Sequence, residues 1–419
     1  MKIWIDLTDF LNWRGNLTGI QRIQYNISKQ YIESNDNVHF FVYKEDLRGF
    51  FEVEFNPDDI VKSGIVGGSK DGSTKLRPLI SRLDGYLLKK MPASLSSKVV
   101  RARNSIKPVE TTDCECVFGS DDTILIMGGI WVGNFINDLE SLKLKNRFKL
   151  VHFAFDLIPS FFPGYVVEWL PETFTEYNKK VYSISEGILA ISESTASDVR
   201  KFMQQHGIKN KPKIQVVRIG EGINTGSVAK EKSLSDVVGD NFILSVSTVE
   251  GRKNHAAFFY ALKEAKRRGV DLPKIVIVGR DGWLTDDIRY IMKHDLDAQE
   301  NIILLNNIDD NELSWLYKNC LFTVFPSFYE GWGMPIAEAL SYGKLCLSSN
   351  TSSMPEIAGD LIDYFSPYNT GEILDCIIKY LDPDARLKKE EQISSNYRQT
   401  SWFDMYQVVS GFVSKISKK

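Results

Sequence analysis

Phe325-Pro326-Ser327-Phe328-Tyr329-Glu330-Gly331-Trp332-Gly333-Met334-Pro335-Ile336-Ala337-Glu338 follows a short apolar run and leads into a helical pattern. Gly331 and Gly333 let the backbone approach a ligand with no Cβ in the way. Pro335 suits the first turn of a helix, where its missing N–H is no loss. The unpaired amides and positive dipole end of such a turn make a ready seat for a diphosphate. Glu330 stands just before this helix and Glu338 about two turns into it. Eight residues at ~1.5 Å rise put the two carboxylates on the order of 12 Å apart if the helix is regular. Paired carboxylates that cleave glycosidic bonds sit about 5 Å or about 6.5–9.5 Å apart. The spacing argues against hydrolysis and suits the two ends of one extended ligand, such as a sugar and a ribose joined by a diphosphate.

Outward from this stretch, short apolar runs alternate with amphipathic segments of helical length, the pattern of parallel α/β domains. Residues 242–246, 274–278, 301–305, 321–325 and 344–348 read as strands of the second half, with helices over 254–268, 285–294, 311–318 and 335–342. In the first half, 2–7, 38–42, 123–127, 148–153, 187–191 and 214–217 read as strands, with helices over 19–34 and 193–206. A length of 419 residues suggests two domains. The expected division is a first domain over 1–225, a linker over 226–240 poor in large apolar residues, and a second domain over 241–398. A last helix within 399–419, with Trp402, Phe403, Tyr406, Val409 and Phe412 on one face, is expected to pack back on the first domain. Two doubly wound, Rossmann-like domains facing each other would leave a central cleft at the carboxyl ends of their strands, where ligands bind.

Composition is that of a soluble globular protein, 43% apolar and 25% charged, with no run long enough to span a membrane. Met1–Asp6 reads as a strand rather than a signal peptide, so the expected location is cytoplasmic. Cys114, Cys116, Cys320, Cys346 and Cys376 read as free thiols without metal-ligand spacing. The net charge of −3 conceals a segment, Lys70–Lys107, with ten Lys or Arg against Asp71 and Asp84. That local +8 leaves −11 on the remainder. Leu76, Leu79, Ile80, Leu83, Tyr86 and Leu87 fall at helical spacing among its cations. An interfacial helix on the inner face of the cell membrane and an insert packed on its own domain account for this equally well. A nucleic-acid partner is not expected at a pI of 6.1 and without a known binding motif.

The Glu330-x7-Glu338 setting strongly resembles the signature of the family 4 retaining glycosyltransferases, and more loosely bacterial polysaccharide and O-antigen mannosyltransferases. The resemblance implies the GT-B fold and a nucleotide-diphosphate sugar donor, GDP-mannose being the one expected, with no metal or other cofactor. It implies that Glu330 contacts hydroxyls of the donor sugar, that Glu338 holds the ribose, and that the backbone of Gly331, Trp332, Gly333 and Met334 meets the diphosphate. Ser245–Asn254 resembles the family's strand-to-loop cationic motif, in which Lys253, with Arg252 beside it, neutralises the leaving diphosphate. Some members carry a further Arg where this chain has Ser247. Arg280, after the strand at 274–278, is expected beside base or phosphate, a plain turn being nearly as good an account. Ile308 falls in the loop that meets the nucleobase, where Asp309 or Asp310 equally reads as a helix cap. Glu356 falls near the family's sugar-side wall.

In the first half, Asn16–Arg22 resembles the family's glycine loop, so Gly19 is expected to allow close approach and Arg22 to reach a phosphate. An ordinary helix start capped by Thr18 is the alternative. Val151–Pro159 resembles a motif that often reads His-Asp-x-Ile-Pro, but Phe155 stands where the His belongs. Asp156 remains a candidate for the reaction centre, while His152 reads as part of the strand. Trp131 is expected in the acceptor pocket or in the core. The candidates for transfer are thus Glu330, Lys253, Arg252 and Asp156. The family is thought to use front-face attack, the leaving phosphate helping to take the acceptor proton. A glycan or lipid-linked glycan is the expected acceptor. A sugar-nucleotide epimerase and a non-catalytic subunit that binds sugar nucleotide are the alternatives, the absence of Gly-x-Gly-x-x-Gly weighing against a nicotinamide enzyme.

Overall fold

Short, mostly apolar runs pair as mainly parallel strands in a computed structural model that describes residues 2–13, 17, 19–34, 36–57, 111–222 and 231–418. The first half supplies β1 (Ile3–Asp6), β2 (Val38–Lys44), β3 (Gly49–Val53), β4 (Thr111–Glu115), β5 (Thr123–Ile126), β6 (Lys149–Ala154), β7 (Gly187–Ala190) and β8 (Lys213–Val216). Their order is β4-β3-β2-β1-β5-β6-β7-β8. The second half supplies β9 (Phe242–Val246), β10 (Lys274–Val278), β11 (Ile302–Leu305), β12 (Thr323–Phe325), β13 (Cys346–Ser349) and β14 (Tyr364–Phe365), in the order β11-β10-β9-β12-β13-β14.

The second sheet is wholly parallel, whereas β3 and β4 pair antiparallel at the edge of the first. Strand order reverses direction between β1 and β5 in one sheet and between β9 and β12 in the other. Ligands of doubly wound sheets bind outside the carboxyl ends of the strands at such switch points. The segments after β1, β9 and β12 carry Gly19, Arg22, Arg252, Lys253, Glu330 and Glu338, while Asp156, Arg280 and Ile308 follow β6, β10 and β11.

Two parts of the expected layout change. Residues expected as a linker include a helix, Glu231–Val238, because Leu234 and Val238 fall four apart and both are buried. The basic segment at 70–107, the rest of the expected linker at 226–230 and the Thr18 cap lie outside the described residues. The last helix, Trp402–Ser417, lies on the first half: Tyr31 and Tyr406 meet edge-on at 5.0 Å, and Tyr406 donates to Asp36 at 2.5 Å. A Cβ on Gly187 would stand 2.7 Å from the Phe412 ring, so the helix packs directly on β7. Phe403 faces out, and Met405, Val413 and Ile416 are buried instead.

Candidate functional site

Chain connectivity brings two loops of the second half together. After β9 a 3₁₀ turn over Gly251–Lys253 ends on Asn254, whose φ of 57° is left-handed. Asn tolerates that conformation, and its amide donates to the carbonyls of Pro326 (3.1 Å) and Pro367 (3.0 Å). The Phe328 N–H donates to the Arg252 carbonyl at 3.0 Å. The turn is thereby fastened to the loop after β12, and its two cations converge on Glu330.

Lys253 Nζ lies 2.6 Å from Glu330 Oε1, and Arg252 Nη1 lies 2.7 Å from Oε2. Arg252 also donates to the Tyr329 carbonyl (2.6 Å) and to Glu250 (2.7 Å). Burial by itself would raise the Glu330 carboxyl, but the Arg252 and Lys253 charges outweigh it and hold it at about 2. Burial and the neighbouring guanidinium lower the Lys253 ammonium, against the pull of Glu330. Burial raises Asp156, which feels Arg252 and Lys253 as attraction and Glu330 as repulsion. Two cations and three carboxylates thus share one buried volume, close enough to set one another's charge.

Beyond Glu330 the backbone is pinned from both halves. A Cβ on Gly331 would lie 2.1 Å from the Phe155 carbonyl oxygen and 3.0 Å from Asp156 Cβ, so only glycine fits and Asp156 is brought beside this loop. The Glu330 N–H donates to Ser352 Oγ at 2.9 Å, and the Ser353 hydroxyl reaches the carbonyls of Glu330 (3.0 Å) and Trp332 (2.6 Å). Trp332 is buried beneath the Arg218 guanidinium, 5.5 Å from its ring centroid. Gly333 has a φ of 132° and starts the Met334–Ser341 helix without a side-chain cap, Pro335 lying in the first turn. Glu338 is the fifth residue of that helix rather than two turns into it, and Glu330 lies outside it. The separation drawn from a regular helical rise therefore does not apply.

Glu338 has its own partners. Arg22 Nη1 from the first half lies 3.0 Å from Oε1, the Tyr317 hydroxyl donates to Oε2 at 2.8 Å, and Arg22 reaches Asp310 at 3.5 Å. Gly19 stands where a Cβ would touch Met334 Sδ at 3.4 Å, so the start of the Gly19–Glu33 helix approaches the start of the Met334–Ser341 helix. Arg280 is exposed, its guanidinium 5.1 Å from the Trp13 ring centroid. Ile308 is half-buried against the core. Asp309 caps the Asp310–Asn319 helix in a full capping box with Glu312, the structural alternative raised for it.

The remaining residues separate by role. Asp156 Oδ1 accepts from the Ile158 N–H at 3.0 Å. His152 is buried, 6.0 Å from the Tyr177 ring and 5.8 Å from that of Tyr182, and burial lowers it to about 3. Ser247 pairs with His255 Nε2 at 3.0 Å. Glu356 accepts the N–H groups of Glu193 (2.7 Å) and Ser194 (2.8 Å), so its carboxylate serves the start of the Glu193–Gln205 helix. Sequence reasoning missed Tyr317, Asp310 as a partner of Arg22, and Asp198, which accepts from the Tyr329 hydroxyl at 2.6 Å. None of these carries a local motif.

Residues 229–400 match the family described as Glycosyl transferases group 1. The chain is 25% identical over 283 residues to the serotype-specific mannosyltransferase WbdA of Escherichia coli, across 64% of this chain and 34% of that protein. It therefore spans about a third of that relative's length. It is 31% identical over 144 residues to O-antigen chain mannosyltransferase B of Escherichia coli, covering 34% of this chain and 38% of the other. Among solved structures, Anabaena Alr3699/HepE in complex with UDP-glucose superposes with a TM-score of 0.62 over 99% of this chain and 100% of that one, at 15% identity. The fold is GT-B.

Proposed function

We propose that this chain transfers a hexose, best read as mannose, from a nucleotide-diphosphate sugar to a glycan or lipid-linked glycan acceptor in surface polysaccharide synthesis, with retention at the anomeric carbon. The observation that carries the reading is the Glu330 carboxylate clamped between Arg252 and Lys253 at the mouth of a helix that begins on Gly333. The C1–O bond to the diphosphate breaks, the acceptor oxygen bonds to C1 on the same face, and the acceptor proton passes to the leaving phosphate oxygen. Arg252, Lys253 and the amides after Glu330 supply the positive field this departure needs, so the reading includes no metal. Glu330 would exchange one of its cation contacts for sugar hydroxyls, and Glu338 would take the ribose in place of Arg22.

The names of the mannosyltransferase relatives support mannose, with GDP-mannose as donor. Work on a lipid-linked acceptor fits a cytoplasmic enzyme held peripherally at the membrane. Among the described residues no helix is long and apolar enough to cross one. The test is thermal stability with GDP, UDP, dTDP and ADP on wild type and Glu338→Ala. A nucleotide at a hundred times its Kd adds roughly 2.7 kcal/mol. Stabilisation by one nucleotide, lost in the variant, supports the donor site and names the base. A wild type indifferent to all four sinks the transferase reading.

A further inference from the structure

Beside Asp156, on the first-half side of the cleft, a cavity of about 40 Å³ lies among Gly128, Trp131, His152, Asp156, Phe174 and Tyr182. A single water needs roughly 10–15 Å³, so an arm of two or three heavy atoms fits and a pyranose ring does not. Two polar atoms of its lining, His152 Nδ1 and the Tyr182 hydroxyl, are buried without a hydrogen-bond partner. Buried polar groups are almost always paired, so two such atoms around one small cavity point to a bound group that can both donate and accept. The imidazole stays neutral at any working pH, since burial holds it far down. Among the described residues no Lys or Arg lines the cavity, and Asp156 is acidic. A phosphate or carboxylate would find no counter-charge there, whereas a hydroxyl finds what it needs.

The wall beside these atoms is aromatic. Trp131 meets Phe174 edge-on at 5.1 Å. A Cβ on Gly129 would stand 3.3 Å from the Trp131 ring, so that glycine lets the indole lie close over its own backbone. An apolar face next to a pair of hydroxyl-seeking atoms matches a hexopyranose, which has a C–H face and a hydroxymethyl arm. The cavity belongs to the carboxyl ends of β5 and β6, whereas Arg252, Lys253, Glu330 and Glu338 come from the other sheet. Of the transfer candidates only Asp156 lines it, so the residues that would hold the nucleotide leave it to a second sugar.

We propose that this cavity is an acceptor-recognition pocket, taking the hydroxymethyl arm of a hexopyranoside while Trp131 covers the sugar's apolar face. This rests on the transferase reading of the cleft. The test uses the full chain, with and without its stabilising nucleoside diphosphate, and titrates methyl α-glycosides of mannose, glucose and galactose against their 6-deoxy counterparts by saturation-transfer NMR. At least one hexoside should bind roughly fivefold or more tightly than its 6-deoxy partner, the worth of a well-made hydrogen bond. In Tyr182→Phe and His152→Phe the ratio should fall below about twofold. Tyr177→Phe, whose hydroxyl is also buried and unpartnered but does not line the cavity, should keep the wild-type ratio.

A wild-type ratio near one, a ratio that survives in both variants, or no glycoside binding at all overturns the pocket. Discrimination against 6-deoxy sugars that occurs only with sugar nucleotides also overturns it, because the arm would then belong to the donor. Tyr182→Phe is nearly isosteric, and melting curves show whether either variant has lost its fold. A failure of every nucleoside diphosphate to shift the melting temperature counts against the transferase reading alone, since the glycoside ratio is measured without nucleotide as well.

Discussion

Replacing Glu330 by Gln tests whether one carboxylate holds the cation pair together. Glu330 is 7% exposed and touches Lys253 at 2.6 Å and Arg252 at 2.7 Å. Its carboxyl stands at about 2 against an ordinary 4.5 because the two cations outweigh the cost of burial. A folded-state value below the unfolded one means that ionisation favours folding. The stabilisation is fully present above pH 4.5 and is lost as the pH falls toward 2. At about 1.4 kcal/mol per pH unit, the gap is worth about 3 kcal/mol. Breaking a buried pair by removing one partner costs ~3–5 kcal/mol, the same range. At roughly 2–4 °C per kcal/mol for a domain of ~150–250 residues, Tm should drop by about 6–12 °C at pH 7. Scanning calorimetry from pH 7 to pH 3 should show the two proteins converging once the pH passes below 4.5. GDP or UDP should also restore more stability to the variant, whose cations are left free for phosphate. A variant within about 0.5 kcal/mol of wild type at pH 7, or a difference that stays constant into acid, refutes the counter-ion argument.

Other substitutions probe separate contacts. Gly331→Ala drives a Cβ onto the Phe155 carbonyl, and should cost about 1–3 kcal/mol of unfolding free energy in denaturant titration, with loss of transfer at any substrate level. Arg22→Met removes the cation that Glu338 would release to an incoming diphosphate on taking the ribose, and calorimetric titration should show nucleotide affinity falling about tenfold, which is ~1.4 kcal/mol. Tyr329→Phe removes the hydrogen bond to Asp198 between the halves and should cost about 1 kcal/mol in thermal melts. Unchanged stability there would mean that water replaces the hydroxyl without loss.

Legibility in the sequence followed locality. Phe242–Val246 and Lys274–Val278 were readable to the residue because each is a short apolar run ended by a glycine or charged turn. By contrast, Thr111–Glu115 is a polar run that becomes a strand only by pairing at a sheet edge. Gly49–Val53 is held by a hairpin turning at Arg48, whose left-handed φ of 52° no glycine or asparagine announces. Glu231–Val238 was hidden by its charged residues, since two buried apolar side chains are too few to show a period. Within the site, Gly331, Gly333 and both glutamates stood in one motif, and Arg252 and Lys253 in a second. The partners that fix their charge did not: Tyr317 is 21 residues from Glu338, Asp198 is 131 from Tyr329, and Arg22 is 316 from Glu338. Such pairings follow from the strand order and have no local signal.

Those distant partners bear on how the halves divide the work. The loop over 329–333 has the Asp198 carboxylate on Tyr329 and the Phe155 backbone against Gly331. Arg218 lies over Trp332, and the Thr195 hydroxyl is 3.3 Å from the Gly331 carbonyl. Every one of these contacts comes from the first half, while Ser352 and Ser353 hold the other flank. Arg218 also donates to the Ile357 carbonyl at 3.1 Å, and Glu356 caps the Glu193–Gln205 helix, so the same seam continues past the loop. A glycine-rich loop is entropically expensive to fix, and its own helix offers it no side-chain cap. Its shape is therefore set across the seam, and the position of Glu330 beneath its cations depends on residues of both sheets. A motif legible within fourteen consecutive residues thus acquires its geometry only when the two sheets meet.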